Sequence, residues 1–598
     1  MSVPEPRPVR VANCSGFYGD RLSAAREQVE GGPIDVLTGD WLAELTMLIL
    51  ASTRSSGRGG GWARTFVTQM EQVMGTCLDR GIRVVANAGG LDPAGCAEAV
   101  HDVAERLGLS PSIAHVEGDD LLGRLPDLVA AGHELRNLDT GEPLGDRIDS
   151  IVTANAYLGG WGITEALAGG ADIVVTGRVT DAAVVSGPAA WWHDWQRTDH
   201  DRLAGAIVAG HVIECGAQAT GGNYSFFTEI DDLTHPGFPI AEIADDGSSV
   251  ITKHEGTGGA VTTETVTAQL LYEIGEPAYA NPDVVARFDT IRLAPEGPDR
   301  VSISGVRGDG PPPSAKVAMN YQGGFRNSVT FCLTGLDIEA KAELAERGLW
   351  SMVPGGRESI ESVHTRLIRS DHADPATNEE AVAMLTITVQ DPDERTVGRG
   401  FANAATQIAL ASYPGMFGTS PPGPGRPYWV YWPTLVPAEL VPQTVVHLGG
   451  GRSVVDPVEP PEAPPIEVPG PALAAVPGGP TIRVPLGRVV GARSGDKGGN
   501  ANLGVWARSD EAFAWLDDFL TVERLAELFP EAREHEVVRH RLPGIRSLNF
   551  VLVGLLGEGV AASPRQDGQA KGLGEYLRAR VVDVPAQLVP IEHRPDDS

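Results

Sequence analysis

From Val9 to about Gly222, short β-branched runs alternate with longer stretches of helical period. Val9–Asn13, Ile34–Leu37, Ile82–Ala86, Ile113–Val116, Ile148–Thr153 and Asp172–Thr176 predict strands. Asp20–Glu30, Trp41–Ala51, Arg64–Asp79, Pro93–Leu107, Trp161–Leu167 and Asp201–Cys215 predict the helices between them. Strands alternating with helices imply a parallel sheet covered by helices. The pattern is compatible with an open sheet and with a barrel.

The rhythm changes near Asn223. Pro239–Glu242 and Ser249–Lys253 flank an Asp-Asp-Gly turn and predict a hairpin. A helix is expected near Thr262–Ile274, followed by strands near Arg300–Gly305, Ser328–Leu333 and Ala381–Gln390. Helices near Ile338–Arg347 and Asn403–Ser412 alternate with them, and the aromatic Pro421–Pro433 tract predicts an ordered loop. Residues 456–480 carry a proline about every third position, the composition of a semi-rigid linker. Beyond it, strands near Arg483–Val490, Ala501–Ala507 and Ser547–Leu555, with helices through Glu511–Phe529 and near Leu573–Ala579, make a compact unit. The fold class is therefore α/β. A parallel-sheet core (9–222) continues into an α+β half (223–450), and a small ferredoxin-like α/β sandwich (481–590) follows the linker.

Composition narrows the function classes. The 598 residues are 42% apolar and 21% charged, enough for several cores and for roughly three or four domains. The formal charge of −32 is spread along the chain. A field of that sign repels nucleic acid and anionic membrane, so neither is expected as a partner, and an anionic ligand needs a local basic pocket. Five scattered cysteines without a CxxC pair fit reduced thiols. Met1–Arg10 holds three prolines and no apolar run of the signal-peptide kind, and no stretch is long enough to span a bilayer. A cytoplasmic protein is expected.

In a parallel sheet, ligands bind beyond the carboxyl ends of the strands. The segments there are Asn13–Asp20, Thr38–Trp41, Asn87–Pro93, Ala154–Gly160 and Gly177–Asp181, rich in Gly, Asn and Asp. Asn13, Ser15, Asp40, Asn87, Asn155, Arg178 and Asp181 are the candidate substrate contacts, Arg178 being the obvious anion partner. Turns and helix caps alone also require such residues. None of these loops matches GxGxxG or a P-loop, so no nucleotide is expected.

The densest reactive cluster is Gly210–Gln218. A helix running through it puts His211, Glu214 and Cys215 on one face. His211 or Glu214 could serve as general base, and Cys215 as a nucleophile if its thiol is activated. Equally, Cys215 could be a small core residue, Gly216 a helix cap and His211 a satisfied buried ring. No third ligand completes a zinc set, so no metal is expected. Lys253 with Gly256, Gly258 and Gly259 forms a strand end opening into a glycine turn, suited to an oxyanion or to tight backbone geometry alone. Arg493 and Lys497 lie in Ala492–Asn502, expected as an inter-strand loop facing a ligand or the first domain. A second loop, Ser563–Gly574, is expected beside it.

Several of these motifs, in this order, resemble the acyclic terpene utilisation (AtuA) family. They are Ser15–Arg21, Ala154–Gly159, Gly170–Val179, Gly210–Gly222, Thr252-Lys253 and Gly256–Gly259. Arg493–Gly498 resembles the small ferredoxin-like domain often fused to that core. The resemblance implies a role in gene clusters that degrade citronellol and geraniol through acyl-CoA intermediates, beside a biotin carboxylase and an enoyl-CoA hydratase. It carries no agreed catalytic residues. The leading expectation is an enzyme of acyl-CoA or branched-acid metabolism, lyase- or hydratase-like and working through an enolate. A CoA thioester is its expected substrate, no cofactor is identified, and a homo-oligomer is expected. In that scheme His211 or Glu214 is the base, Lys253 and Gly256–Gly259 hold the oxyanion, and Arg178 and Lys497 bind the anionic part. The alternatives are a non-catalytic partner of an acyl-CoA carboxylase or hydratase, and a thiol-dependent hydrolase or acyltransferase using Cys215.

Overall fold

The β-branched runs do form strands: β1 (Val9–Asn13), β2 (Val36–Gly39), β3 (Arg83–Ala86), β4 (Ile113–Glu117), β5 (Ile151–Ala156) and β6 (Ile173–Thr176). In this computed structural model, which describes residues 7–460, 465–466, 468 and 474–594, β1, β2, β3, β6 and β4 pair in that order and all run parallel. Their residues are almost wholly buried, as expected of strands covered on both faces. β5 departs from expectation. The sheet position between β3 and β4 is taken by β6, and β5 pairs instead with a long strand starting at Ser314. Just past it, Tyr157 donates its N–H to the Lys316 carbonyl at 2.9 Å.

The sheet is open, with antiparallel flanks. The expected hairpin, β7 (Pro239–Ile243) and β8 (Ser249–Lys253), adds to the β1 edge, so this piece of the second half completes the first half's sheet. Arg300–Ser304 and Arg292–Gly297 continue it, while Gln443–His447 and Arg452–Val455 extend the β4 edge. The helices are α1 (Ala24–Gly31), α2 (Glu44–Ser55), α3 (Arg64–Arg80), α4 (Pro93–Leu107), α5 (Leu125–Ala130), α6 (Trp161–Ala168), α7 (Ala183–His193) and α8 (His200–Ile213). Residues of α1, α3 and α4 share one apolar core with β2, β3 and β6. α8 is buried along its whole second half, between β7, β8 and a small sheet of Ala278–Asn281, Val284–Arg287 and Arg307–Asp309. α7 was not anticipated. Its small apolar residues and internal Pro188 hide the helical period.

The chain forms two compact units. One holds the residues up to Met319 with Trp432–Val560 and from Gln569 onward; the other holds Asn320–Tyr431 with Ala561–Gly568. In the second unit, an antiparallel sheet of Ser362–Ile368, Val382–Asp391 and the long strand is covered by helices Ile338–Met352 and Phe401–Gln407. The Pro421–Pro433 tract, expected as a loop, becomes a strand from Arg426 (Arg426–Pro437), because its alternating aromatic and β-branched residues favour extended backbone. Of the proline-rich 456–480 stretch, residues 461–464, 467 and 469–473 lie outside the described residues, and the rest carries no helix or strand. No helix among the described residues is long and apolar enough to cross a membrane.

The C-terminal part is a four-stranded antiparallel sheet in the order Val490–Lys497, Asn500–Ala507, Ser547–Leu552, Val537–Leu542. The loop expected at Ala492–Asn502 is instead a tight hairpin. Lys497 pairs Asn500 across Gly498-Gly499, with Gly498 at φ 63°. The single strand expected at Arg483–Val490 is split, its first part (Thr481–Pro485) pairing Val581–Pro585.

Two buried asparagines tie this sheet to helix α9 (Thr263–Leu270) and the segment after it. Asn502 donates to the Leu271 carbonyl at 2.8 Å and to Asn549 Oδ1 at 2.6 Å, and accepts from the Glu273 N–H at 2.9 Å. Asn549 in turn donates to the Gly275 carbonyl at 2.6 Å. An isosteric apolar replacement strands several buried polar groups. Asn502→Leu is therefore expected to destabilise the protein by about 2–4 kcal/mol, read as a lower denaturant midpoint. A midpoint equal to the parent's contradicts the anchoring role.

Candidate functional site

The loops beyond β1, β2, β5 and β6, the end of α8, the segment after α9 and the C-terminal hairpin wall one cavity of about 1310 Å³. Arg178 sits at its floor. The Arg178 N–H donates to Asp119 Oδ2 at 2.9 Å, and the same oxygen accepts from Asn155 Nδ2 at 2.8 Å. The guanidinium donates to the Leu42 carbonyl at 3.0 Å and to Asp181 at 2.8 Å, and lies 4.4 Å from the Tyr157 ring centroid. The Tyr157 hydroxyl donates to Glu44 Oε1 at 2.6 Å. Lys316 Nζ is 5.2 Å from the centre of the same ring.

Burial sets the charge states here. It would raise Glu44, but Lys316 and Arg178 outweigh it and hold that carboxylate down at about 2. Burial lowers Lys316 to about 8, helped by Lys497 and Arg178 and opposed by Glu44. Asp40 is pushed well above the usual carboxylate range by burial and Asp181, and Asp181 is raised by burial against the pull of Arg178.

The α8 helix ends at Ile213, so Glu214 and Cys215 face the cavity from just beyond it. His211 does not line the cavity. It is buried behind, its ring centroid 5.3 Å from Tyr279 and 5.4 Å from Phe288, with Nδ1 3.3 Å from Glu214 Oε1. Burial lowers His211 to about 4, with Lys497 adding to the effect. Burial, Asp181 and Glu273 push Glu214 well above the usual range, which favours its neutral acid. The Cys215 thiol is held well above its usual range by burial and by Glu214 and Glu273.

The opposite wall carries Arg493, Asp496, Lys497 and Lys571. Lys571 is tied to Glu273 at 2.8 Å, to Asp496 at 3.4 Å and to the Tyr272 hydroxyl. Arg493 donates to Gln218 and lies 4.3 Å from the Tyr272 ring centroid. Lys497 Nζ is 5.5 Å from the Tyr279 ring centroid, and no described carboxylate lies within ion-pair distance of it.

Of the residues singled out from sequence, Asp40, Arg178, Asp181, Glu214, Cys215, Arg493 and Lys497 therefore meet in one cavity. Asn13, Ser15, Asn87 and Asn155 are buried brackets beneath it. Asn13 donates to the Glu214 carbonyl at 3.2 Å, Ser15 to the Phe17 carbonyl at 3.0 Å, and Asn87 to Asp40 at 2.5 Å. Lys253, Gly256, Gly258 and Gly259 lie outside the cavity lining. Lys253 donates to the Thr257 carbonyl at 2.7 Å and pairs with Asp299 at 3.0 Å, while Gly256 and Gly259 adopt positive φ in a tight turn. Sequence reasoning missed Glu44, Tyr157, Glu273, Asp496, Lys571 and above all Lys316. A signal existed, since the chain holds only five lysines against 42 arginines.

The profile of the acyclic terpene utilisation family protein AtuA matches residues 9–447, and that of the AtuA ferredoxin-like domain matches residues 484–583. No curated protein matches the chain. With one profile covering most of its length, and the second falling on the C-terminal sheet, the chain belongs to the acyclic terpene utilisation (AtuA) family.

Proposed function

We propose that the cavity is the active site of an enzyme that moves protons on a branched acyl substrate, as its CoA thioester or free acid, through an enolate. One observation carries this reading. A single cavity holds an amine and a carboxylic acid that their surroundings drive away from their usual forms, Lys316 towards free base and Glu214 towards neutral acid. Opposed shifts of this kind mark acid–base pairs.

Enolate formation needs a base at the carbon acid and a donor at the carbonyl oxygen. Lys316 fills the first role and Glu214 the second. Lys497 and Arg493 supply the local positive charge that an anionic substrate needs in a chain of net charge −32. The cavity exceeds the roughly 300–1,000 Å³ of ordinary small-molecule sites, leaving room for the long arm of a thioester. Leu42, Pro312, Pro313 and Leu435 offer apolar wall to a branched chain. Lyase- or hydratase-type outcomes follow from the enolate, according to whether a β-substituent leaves or water adds to its unsaturated product. His211 acts in this scheme by positioning Glu214, and Lys253 with Gly256–Gly259 takes no part. The thiol alternative is disfavoured by the raised Cys215.

Binding is tested by thermal shift against CoA, branched acyl-CoA thioesters and free branched acids. A true ligand at about a hundred times its Kd stabilises the fold by roughly 2.7 kcal/mol. Silence across the panel, with the fold intact, overturns the reading in favour of a docking subunit. With a turned-over ligand in hand, Glu214→Gln is expected to lower kcat by about 10²–10⁴-fold with little change in KM; parental kcat contradicts the acid role. The Lys316 base must lose its proton, so kcat/KM is expected to rise with pH to a midpoint near the about 8 of that amine. A flat profile between pH 6 and 9 argues against it.

A further inference from the structure

Three of the five lysines in the chain, Lys316, Lys497 and Lys571, line the one cavity. The other two are fixed elsewhere, Lys253 on Asp299 and the Thr257 carbonyl, Lys341 on the Thr334 carbonyl at 2.7 Å. Forty-two arginines show that positive charge is otherwise supplied by guanidinium. What lysine alone offers is an amine that can lose its proton and attack carbon.

The three cavity lysines are not equivalent. Lys571 is pinned by Glu273 and Asp496, and the same partners raise its pKa despite burial, so it stays protonated. Lys497 lies against Tyr279 without a described carboxylate partner, and its charge bears on Lys316. Lys316 shares the Tyr157 ring with Arg178, and the hydroxyl of that ring is hydrogen-bonded to Glu44. A partly buried amine beside other cations is an arrangement that activates lysine as a nucleophile.

We infer that Lys316 acts covalently, condensing with a ketone or aldehyde carbon in the acyl chain of the substrate to form an imine. The inference rests on the active-site reading above, gives Lys316 the role of nucleophile in place of base, and narrows the substrate class to carbonyl-bearing branched acyl compounds. The neutral Nζ adds to the carbonyl carbon, and the carbonyl π electrons move to oxygen, which takes a proton. Nitrogen gives up a proton, and the resulting hydroxyl leaves as water after a second protonation. As the C–O bond breaks, the nitrogen lone pair forms the C=N bond, so amine, carbonyl and one proton yield the protonated imine and water with no redox change. Glu214 in its acid form and the Tyr157–Glu44 pair are the proton carriers that the cavity offers. Protonated, the imine draws electrons from the adjacent carbon, which labilises an α C–H or a β C–C bond.

The test is reductive trapping of the full chain at pH 7.5 with 3-methylbutanal or acetoacetate and borohydride, followed by peptide mapping. Labelling of Lys316 is expected to exceed that of each other lysine by about tenfold or more, because its amine lines the cavity beside Arg178 on the Tyr157 ring. Uniform labelling, or label concentrated on Lys497 or Lys571, overturns the inference. The mapping is done on the parent protein, so it does not depend on a variant folding. Lys316→Arg, checked for a parental unfolding temperature, is expected to lose the Lys316-peptide adduct alone. If Lys316 stays unlabelled while acyl ligands still stabilise the fold, the imine fails and the acid–base reading survives. If no acyl ligand binds, that reading fails as well.

Discussion

A guanidinium only 3% exposed must find partners within the protein, and Arg178 draws them from separate loops. Its side chain takes the Leu42 carbonyl from beyond β2, Asp181 from its own loop and the Tyr157 ring from beyond β5, while its N–H is held by Asp119. Removing that charge would loosen each of these loops and leave Asp181 and Asp40 without their main counter-charge. The shape of the cavity floor is therefore a consequence of how one buried cation is satisfied. β5 outside the parallel sheet belongs to the same arrangement, because it delivers Tyr157 to Arg178 and the Lys316 strand together.

From that constraint the electrostatics of the cavity follow. It gathers eight carboxylates against five cations, and burial penalises the charged form of those it encloses. Groups with close counter-charges stay ionised, as Glu44 does between Lys316, Arg178 and the Tyr157 hydroxyl. Groups facing like charges are pushed towards the neutral form, as Glu214 is by burial and then by Asp181 and Glu273. Lys316 falls between these extremes, with Glu44 opposing the joint effect of burial, Lys497 and Arg178. The C-terminal sheet contributes Lys497 to this balance, and the loop before the helix at Leu573 contributes Lys571. The Asn502 and Asn549 anchor holds the sheet against the segment carrying Tyr272 and Glu273, so the ferredoxin-like domain forms part of the cavity wall.

Much of this was legible in the amino-acid sequence. The parallel strands read correctly because their β-branched runs are bounded by glycine turns; Arg178 and Asp181 stood out for following such a run, and Glu214 and Cys215 for sharing a helix face with His211. Lys316 did not, because it lies inside a long strand with no motif around it and reaches the cavity through the non-local pairing of β5. Glu44 was hidden at the start of a helix, where an acidic residue is ordinary capping chemistry. Lys253 and Gly256–Gly259 drew attention for a pattern that tight turn geometry fully accounts for, with Gly259 packed where a Cβ would meet the Thr220 carbonyl at 2.4 Å. The Gly498-Gly499 hairpin was read as a longer inter-strand loop, although a two-residue glycine turn was the simpler physical choice.

The claim at the centre of this account is that the cavity holds an amine able to exchange its proton near neutral pH. With five lysines in the chain, ¹³Cε-lysine labelling and an NMR pH titration can resolve each one separately. One resonance is expected to titrate near 8 and to vanish in Lys316→Arg. The absence of any lysine resonance titrating near 8, or one that persists in Lys316→Arg, would contradict the account.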